Sequence, residues 1–239
     1  MSVATHYENL LADHYSWMCG PFAEGVAAQR ALLSGVGVAH GGRALDLGCG
    51  AGLQSVALAE LGFAVTAVDT SRKLLDELET RRGGLPIVTL EGDIADIAAF
   101  VEPGFDIAVC MGDTLTHLPS AAEIERLFDG VVAMLAPSCL FVLTFRDLTA
   151  PLTGTDRFIP VRSDPDRIMT CFLEYEPETV LVHDLVHVRQ GEDWVFSKSS
   201  YRKLRLAPDR VAAALEARGF SILSNGPSGR MVLIAARRN

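Results

Sequence analysis

Three glycines alternate through Asp46-Leu47-Gly48-Cys49-Gly50-Ala51-Gly52, behind a short apolar run and ahead of a helical repeat. Glycine lets backbone come close to a ligand, and a helix starting beyond such a turn aims its free N–H groups at that ligand. Leu53, Val56, Ala57, Leu58 and Leu61 carry the helix spacing, and Gly62 ends it. The carboxylate of Asp46 bears on which ligand fits. It would repel a diphosphate, but it can accept hydrogen bonds from an ammonium group. The spacing D-x-G-x-G-x-G also lacks the third glycine, at position 53, of the dinucleotide fingerprint. The next apolar run, Phe63 to Val68, closes on Asp69. A carboxylate ending a second strand is placed to accept hydrogen bonds from both ribose hydroxyls. The two acids and the turn suit a ligand made of an amino acid and a nucleoside with no phosphate between them. A nicotinamide dinucleotide is the competing reading, and the glycine spacing counts against it.

Further along, Asp93 follows a third apolar run and either contacts a ligand or caps the helix that begins after it. Cys110-Met111-Gly112-Asp113-Thr114-Leu115-Thr116-His117-Leu118 follows the fourth run. His117 could serve as a base near neutral pH, or could simply open and pack the next helix. Asp113 could orient a substrate or bind an amine, or stand as a solvated loop carboxylate. Arg146 ends the fifth run, where its fork of donors suits a carboxylate ligand or an ion pair with Asp147. His183 and His187 have the spacing of a helical metal pair, but the alternation around them indicates a strand. Four residues of strand span about 13 Å, too far for one ion, so no metal site is expected there.

The elements that must hold these residues alternate from 43 to 147. Strands are expected near 43–47, 64–69, 86–90, 105–110 and 139–145, with helices near 52–62, 71–82, 94–100 and 120–135. Such alternation implies right-handed crossovers and a parallel sheet, with ligands outside the carboxyl ends of its strands. Ser71 is a fair cap for the second of these helices. Residues 5–38 are expected to be helical with a break at Gly20-Pro21. They bring Tyr7, Tyr15 and Trp17 as candidate lid aromatics. Residues 148–166, rich in Pro, Asp, Thr and Gly, predict a long connection. The period then becomes two over 167–176, 179–189 and 194–206, which predicts a three-stranded antiparallel meander. Tyr201 and Arg202 are further lid candidates on its last strand. A helix opened by Pro208 and two final strands, near 220–223 and 231–235, close the core sheet.

With these motifs in order, the sequence resembles the class I S-adenosylmethionine-dependent methyltransferases. LDLGCGAG and AVTAVDTS match that family's first two motifs, and LEGDIAD and FDIAVCMGDTLTHL match the third and fourth. The resemblance covers roughly residues 40–147 and resumes at about 200–239. It implies a Rossmann-like α/β fold with a seven-stranded sheet whose seventh strand, near 231–235, is antiparallel. It implies S-adenosyl-L-methionine as cofactor. Asp46, Gly48, Cys49, Gly50 and Gly52 would hold its methionine part, Asp69 and Thr70 the ribose, and Asp93 with the Ile94 backbone the adenine. Met111 would back the adenine or sulfonium. The fourth motif lacks N/D-P-P-Y/F, which lowers the odds of a DNA or protein-glutamine substrate. MGDTLTHL looks like the glycine and sarcosine N-methyltransferase branch, where an arginine after the fifth strand grips the substrate carboxylate; Arg146 stands there. His117, Arg146 and Tyr15 are the expected catalytic residues.

Composition sets the outer bounds. A chain of 239 residues suffices for one α/β domain with an insertion. The expected division is a helical cap over 1–40, a cofactor core over 41–147 and 207–239, and an inserted antiparallel β lid over 148–206. A formal charge of −9 argues against nucleic acid as the main partner. The five cysteines form no C-x-x-C pair, so neither zinc nor a disulfide framework is expected. There is no secretory signal pattern and no apolar run of about 18 residues, so a cytoplasmic chain without a membrane span is expected. The expected partner is a small-molecule acceptor methylated at N or O, including one that bears a carboxylate, in a protein that could form a homodimer. A non-catalytic binder of the same cofactor is the other alternative.

Overall fold

The computed structural model describes residues 2–38 and 41–239; the expected boundary near residue 40 falls beside residues 39–40, which lie outside the described residues. Helix α1 (Val3–His6) starts at Ser2, whose hydroxyl accepts from the Thr5 N–H. The chain then passes through one π-helical turn, Tyr7–Leu11, into α2 (Ala12–Cys19). Gly20, at φ +92°, and Pro21 stop this run where expected, and Pro21 sets the start of α3 (Phe22–Gly35).

The alternating core follows as β1 (Gly42–Leu47), α4 (Leu53–Glu60), β2 (Phe63–Asp69), α5 (Arg72–Arg81) and β3 (Ile87–Glu91). A 3-10 turn, Ile94–Ala99, stands where an α-helix was expected; Asp96 inside it leaves helical backbone angles. Then come β4 (Phe105–Cys110), a 3-10 turn at Thr114–His117, α6 (Ala121–Met134) and β5 (Leu135–Phe145). Strand β5 starts earlier than the apolar run suggests, because Leu135 pairs with Phe105 before the register shifts.

The segment expected as a plain connection carries a strand. A 3-10 turn at Gly154–Arg157 leads into β6 (Phe158–Ser163), followed by β7 (Arg167–Tyr175), β8 (Thr179–Gln190) and β9 (Asp193–Leu204). The insertion is therefore a four-stranded antiparallel sheet, β6-β7-β8-β9, rather than a three-stranded meander. Pro160 and the shift after it mask the alternation of β6, which tolerates them as an edge strand. Helix α7 (Pro208–Glu216), β10 (Phe220–Ser228) and β11 (Met231–Arg238) complete the chain.

The main sheet runs β10-β11-β5-β4-β1-β2-β3. Strands β1 to β5 are parallel, and β11 lies antiparallel between β5 and β10. Helices cover both faces. Phe128 of α6 and Leu215 of α7 pack with Phe141 and Phe220 on one face. Leu33 of α3, Leu58 of α4 and Leu75 of α5 pack with Ala44 and Ala67 on the other. The chain builds outward from β1 through β2 to β3 and then crosses back to β4 on the other side of β1, so a crevice opens at the carboxyl ends of β1 and β4. No helix among the described residues is long and apolar enough to cross a membrane.

Candidate active site

The glycine turn lies at that crevice. Gly48, Gly50 and Gly52 sit at φ +73°, +52° and +92°, where a side chain is strained. The N–H groups of Gly48 and Cys49 both donate to the Val68 carbonyl, at 2.8 and 3.0 Å, tying the turn to the end of β2. A methyl on Gly48 would stand 2.2 Å from the Thr114 side chain, and one on Gly50 would stand 3.2 Å from the Tyr15 hydroxyl. At Gly52 it would strike Leu78 at 2.2 Å, so this glycine lets α4 approach α5.

Asp69 closes β2 across the turn. Its Oδ2 accepts from the Gly50 N–H and its Oδ1 from the Ser71 N–H, both at 2.8 Å. Burial pushes its pKa up and the backbone donors oppose the rise. Ser71 starts α5, but its hydroxyl makes no capping bond. Asp93 caps the 3-10 turn, its carboxylate accepting from the Ala95 N–H at 2.9 Å, and it lines the cavity beside Ile94.

The cavity has a volume of about 470 Å³, within the range of small-molecule sites. Gly48, Gly50, Asp69, Thr70, Asp93 and Ile94 form one group of lining residues; Tyr7 and Tyr15 join them from the N-terminal segment. Thr114, His117, Arg202 and Lys203 form another. The chain thus brings the glycine turn and two carboxylates, Asp69 and Asp93, to one cavity. A turn of close-approaching backbone beside carboxylate acceptors fits a nucleoside that carries no phosphate.

Several expected residues lie elsewhere. Asp46 is 1% exposed and sits beneath the turn, where it accepts from the Ser55 hydroxyl at 2.5 Å. Burial raises its pKa to about 7, against the pull of that hydrogen bond. Cys49 and Met111 are buried in the core under the site, and neither they nor Gly52 lie on the cavity wall. Trp17 packs beneath Arg162 and Arg167 and donates to Asp164, away from the cavity. His183 and His187 are in strand β8; His183 faces Glu174 at 2.5 Å, on the sheet side opposite the buried Val182 and Asp184.

Arg146 also lies off the wall. Its Nε stands 3.0 Å from Asp113 Oδ2, and its main-chain N–H donates to Asp113 Oδ1 at 2.9 Å. The same Asp113 accepts from Lys203 Nζ at 2.6 Å. Burial alone would raise the Asp113 pKa, but the charges of Lys203 and Arg146 overcome it and hold it at about 2. Nothing in the local sequence announces Lys203. Its only signal is its inward register on β9, two residues beyond Tyr201.

His117 is on the wall, at the edges of the Tyr7 and Tyr201 rings, with centroids 5.9 and 5.5 Å away. Its Nε2 is buried without a hydrogen-bond partner. Burial, then the Lys203 charge, drive its pKa down to about 3, so the ring is neutral at any working pH. Burial raises Tyr7 and Tyr15 well above the usual phenol value, so both keep their protons.

A buried pair fixes the helical cap to the inserted sheet. His6 Nε2 lies 2.8 Å from Asp184 Oδ2, with both side chains almost wholly buried. Cys171 Sγ lies 2.8 Å from the other oxygen of Asp184, and His6 stacks on Tyr201 at 4.2 Å. Neither His6 nor Asp184 carries a sequence signal, since their 178-residue separation hides the pairing.

A family model described as a methyltransferase domain matches residues 44–138. The chain is 32% identical over 190 residues to the cypemycin N-terminal methyltransferase of a Streptomyces species, covering 72% of this chain and 76% of that one. It is 32% identical over 140 residues to glycine N-methyltransferase of Homo sapiens, covering 51% of this chain and 46% of that one. The fold matches the solved CcbJ methyltransferase of Streptomyces caelestis with a TM-score of 0.80, at 20% identity over 97% of each chain.

Proposed function

The chain belongs to the class I S-adenosylmethionine-dependent methyltransferases, and from that premise we propose that it methylates an amine nitrogen of a small acceptor that carries a carboxylate. The glycine spacing and the relatives leave the nicotinamide reading without support. One observation carries the choice of nitrogen. Beyond the residues assigned to the cofactor, no group on the described wall is held ready to take a proton. His117 is held neutral with its pKa near 3, Tyr7 and Tyr15 stay protonated, and Lys203 is engaged with Asp113. A hydroxyl acceptor needs a base at the moment of attack. An amine that has given its proton to bulk water before it binds attacks with its own lone pair, and then needs only to be positioned.

The bound cofactor supplies the methyl carbon and the thioether leaving group. The protein's own residues then divide the remaining work. Asp69, fixed by two backbone N–H groups, accepts from the ribose hydroxyls. Asp93 and Ile94 hold the adenine edge. Tyr7 and Tyr15 cover the site and exclude water. The His117 ring lines the cavity and, packed at the edges of the Tyr7 and Tyr201 rings, shapes the space the acceptor occupies. Holding the nitrogen about 3–3.5 Å from the methyl carbon is the main catalytic requirement. Both sequence relatives named above are N-methyltransferases by name, acting on an N-terminus and on glycine, which supports nitrogen. The five unpaired cysteines suit a reducing compartment, and we place the reaction in the cytoplasm.

The test is a mass-spectrometric assay with S-adenosyl-L-methionine and matched sets of small amino acids, their N-acetyl forms and their hydroxy-acid analogues. The expected result is methylation of the free amines alone, with release of S-adenosylhomocysteine. Turnover of the hydroxy acids in place of the amines would overturn the nitrogen assignment. Cofactor binding without turnover of any acceptor would support a non-catalytic binder.

A further inference from the structure

We infer that Lys203, on the inserted sheet, is the residue that binds the acceptor's carboxylate and so selects the substrate. The inference rests on the methyltransferase reading of the cavity and adds a specificity determinant to it. Lys203 is 9% exposed and lines the cavity. An ammonium has three donors, and Asp113 takes one of them at 2.6 Å.

The charge balance around Asp113 is uneven. One carboxylate faces two cations, because Arg146 Nε approaches the same Oδ2 at 3.0 Å. The Arg146 side chain is 45% exposed and screened by water, whereas that of Lys203 is 11% exposed. A desolvated cation that shares its counter-ion with another cation is only partly compensated. The buried carboxylate of the inserted sheet itself, Asp184, is engaged by His6 and Cys171. One monoanion entering the cavity would complete the balance at Lys203. A dianion such as a phosphate would have a single net positive charge to hold it, in a cavity that Asp69 and Asp93 also line.

The other cations fit less well. Arg146 spends both its Nε and its main-chain N–H on Asp113 and does not reach the wall. Arg202 lines the cavity but is held by a two-pronged pair with Glu176, at 2.8 and 2.7 Å. Lys203 Nζ lies 5.7 Å from the centre of the Tyr201 ring, and the His117 ring lies 5.5 Å from the same ring, so a carboxylate held at Lys203 sits in the part of the cavity that His117 lines.

The test uses the intact protein and two variants, Lys203→Met, which keeps the apolar stem, and Lys203→Arg, which keeps the charge. Amino acids and dipeptides serve as acceptors, each paired with its carboxamide. For Lys203→Met, KM for the acids rises at least about tenfold while KM for the carboxamides changes less than about twofold, and S-adenosylhomocysteine affinity is unchanged. Lys203→Arg retains the preference for acids. Equal shifts for acid and carboxamide, or a wild type indifferent to the carboxylate, overturn the inference and leave the methyltransferase reading standing. Titrating the same acids into the protein saturated with S-adenosylhomocysteine reads the contact without turnover. Weaker binding to Lys203→Met than to the wild type supports the inference. Equal binding, or no binding of any acid to the wild type, overturns it. Failure of every amine to be methylated counts separately against the proposed reaction.

Discussion

The two sides of the cavity are made in different ways. On the cofactor side, the wall is largely backbone. Gly48 and Gly50 hold left-handed backbone against Thr114 and Tyr15, and main-chain N–H groups of Gly50 and Ser71 fix Asp69. The turn and Asp69 come from one β-turn-α-β unit, and Asp93 follows the next strand. On the acceptor side, the wall is side chains gathered from distant elements. Lys203 on the wall reaches Asp113 across 90 residues of sequence, and behind the wall His6 reaches Asp184 across 178. The comparison teaches how this fold separates a constant task from a variable one. The cofactor seat depends on the geometry of one local turn. The acceptor wall depends on how a cap and an inserted sheet dock over that turn, so it can change without disturbing the seat.

If that division holds, damage to each side should stay on its side. The largest effect is expected for Asp69→Ala. Affinity for S-adenosylhomocysteine should fall at least about a hundredfold by calorimetry, near 2.7 kcal/mol, with the circular dichroism spectrum unchanged. An unchanged affinity would refute the assignment of this wall to the cofactor. His6→Ala comes next. It leaves Asp184 buried without its main partner and should cost about 2 kcal/mol in urea unfolding. It should also raise acceptor KM more than it weakens cofactor binding. Equal losses in both would blur the boundary between the two sides.

The last effect depends on pH and concerns Asp46, beneath the turn. Burial lifts its pKa from 3.8 to about 7, so across that window the folded chain holds a proton that the unfolded chain has released. Its contribution is therefore full at acid pH, falls as pH rises towards 7, and stays low above. Asp46→Asn keeps an acceptor for Ser55 but cannot ionise. Its stability relative to the wild type should grow by at most about 1.4 kcal/mol per pH unit through the window and then level off. Stability curves that run parallel for the two proteins would show that Asp46 does not titrate there.

Local motifs made the core legible. The glycine spacing, the acid ending β2 and the alternation of apolar runs each depend on neighbours within a few residues. The insertion was less legible. Strand β6 hid behind Pro160 and a register shift, and the 3-10 turn at Ile94–Ala99 has the apolar spacing of an α-helix. Arg146 shows the harder limit. Its position after β5 made it a natural carboxylate ligand, but Asp113 is close enough to claim it.

By itself, the order of residues determined the parallel sheet, the glycine turn and the acid that closes β2, because backbone conformation and strand ends are set by short-range chemistry. Only the tertiary structure decided that Lys203 rather than Arg146 lines the cavity, that His117 is a neutral wall residue, and that His6 and Asp184 clamp the cap. Burial and charge pairing across the fold set those properties, and they exist only once distant segments have packed together.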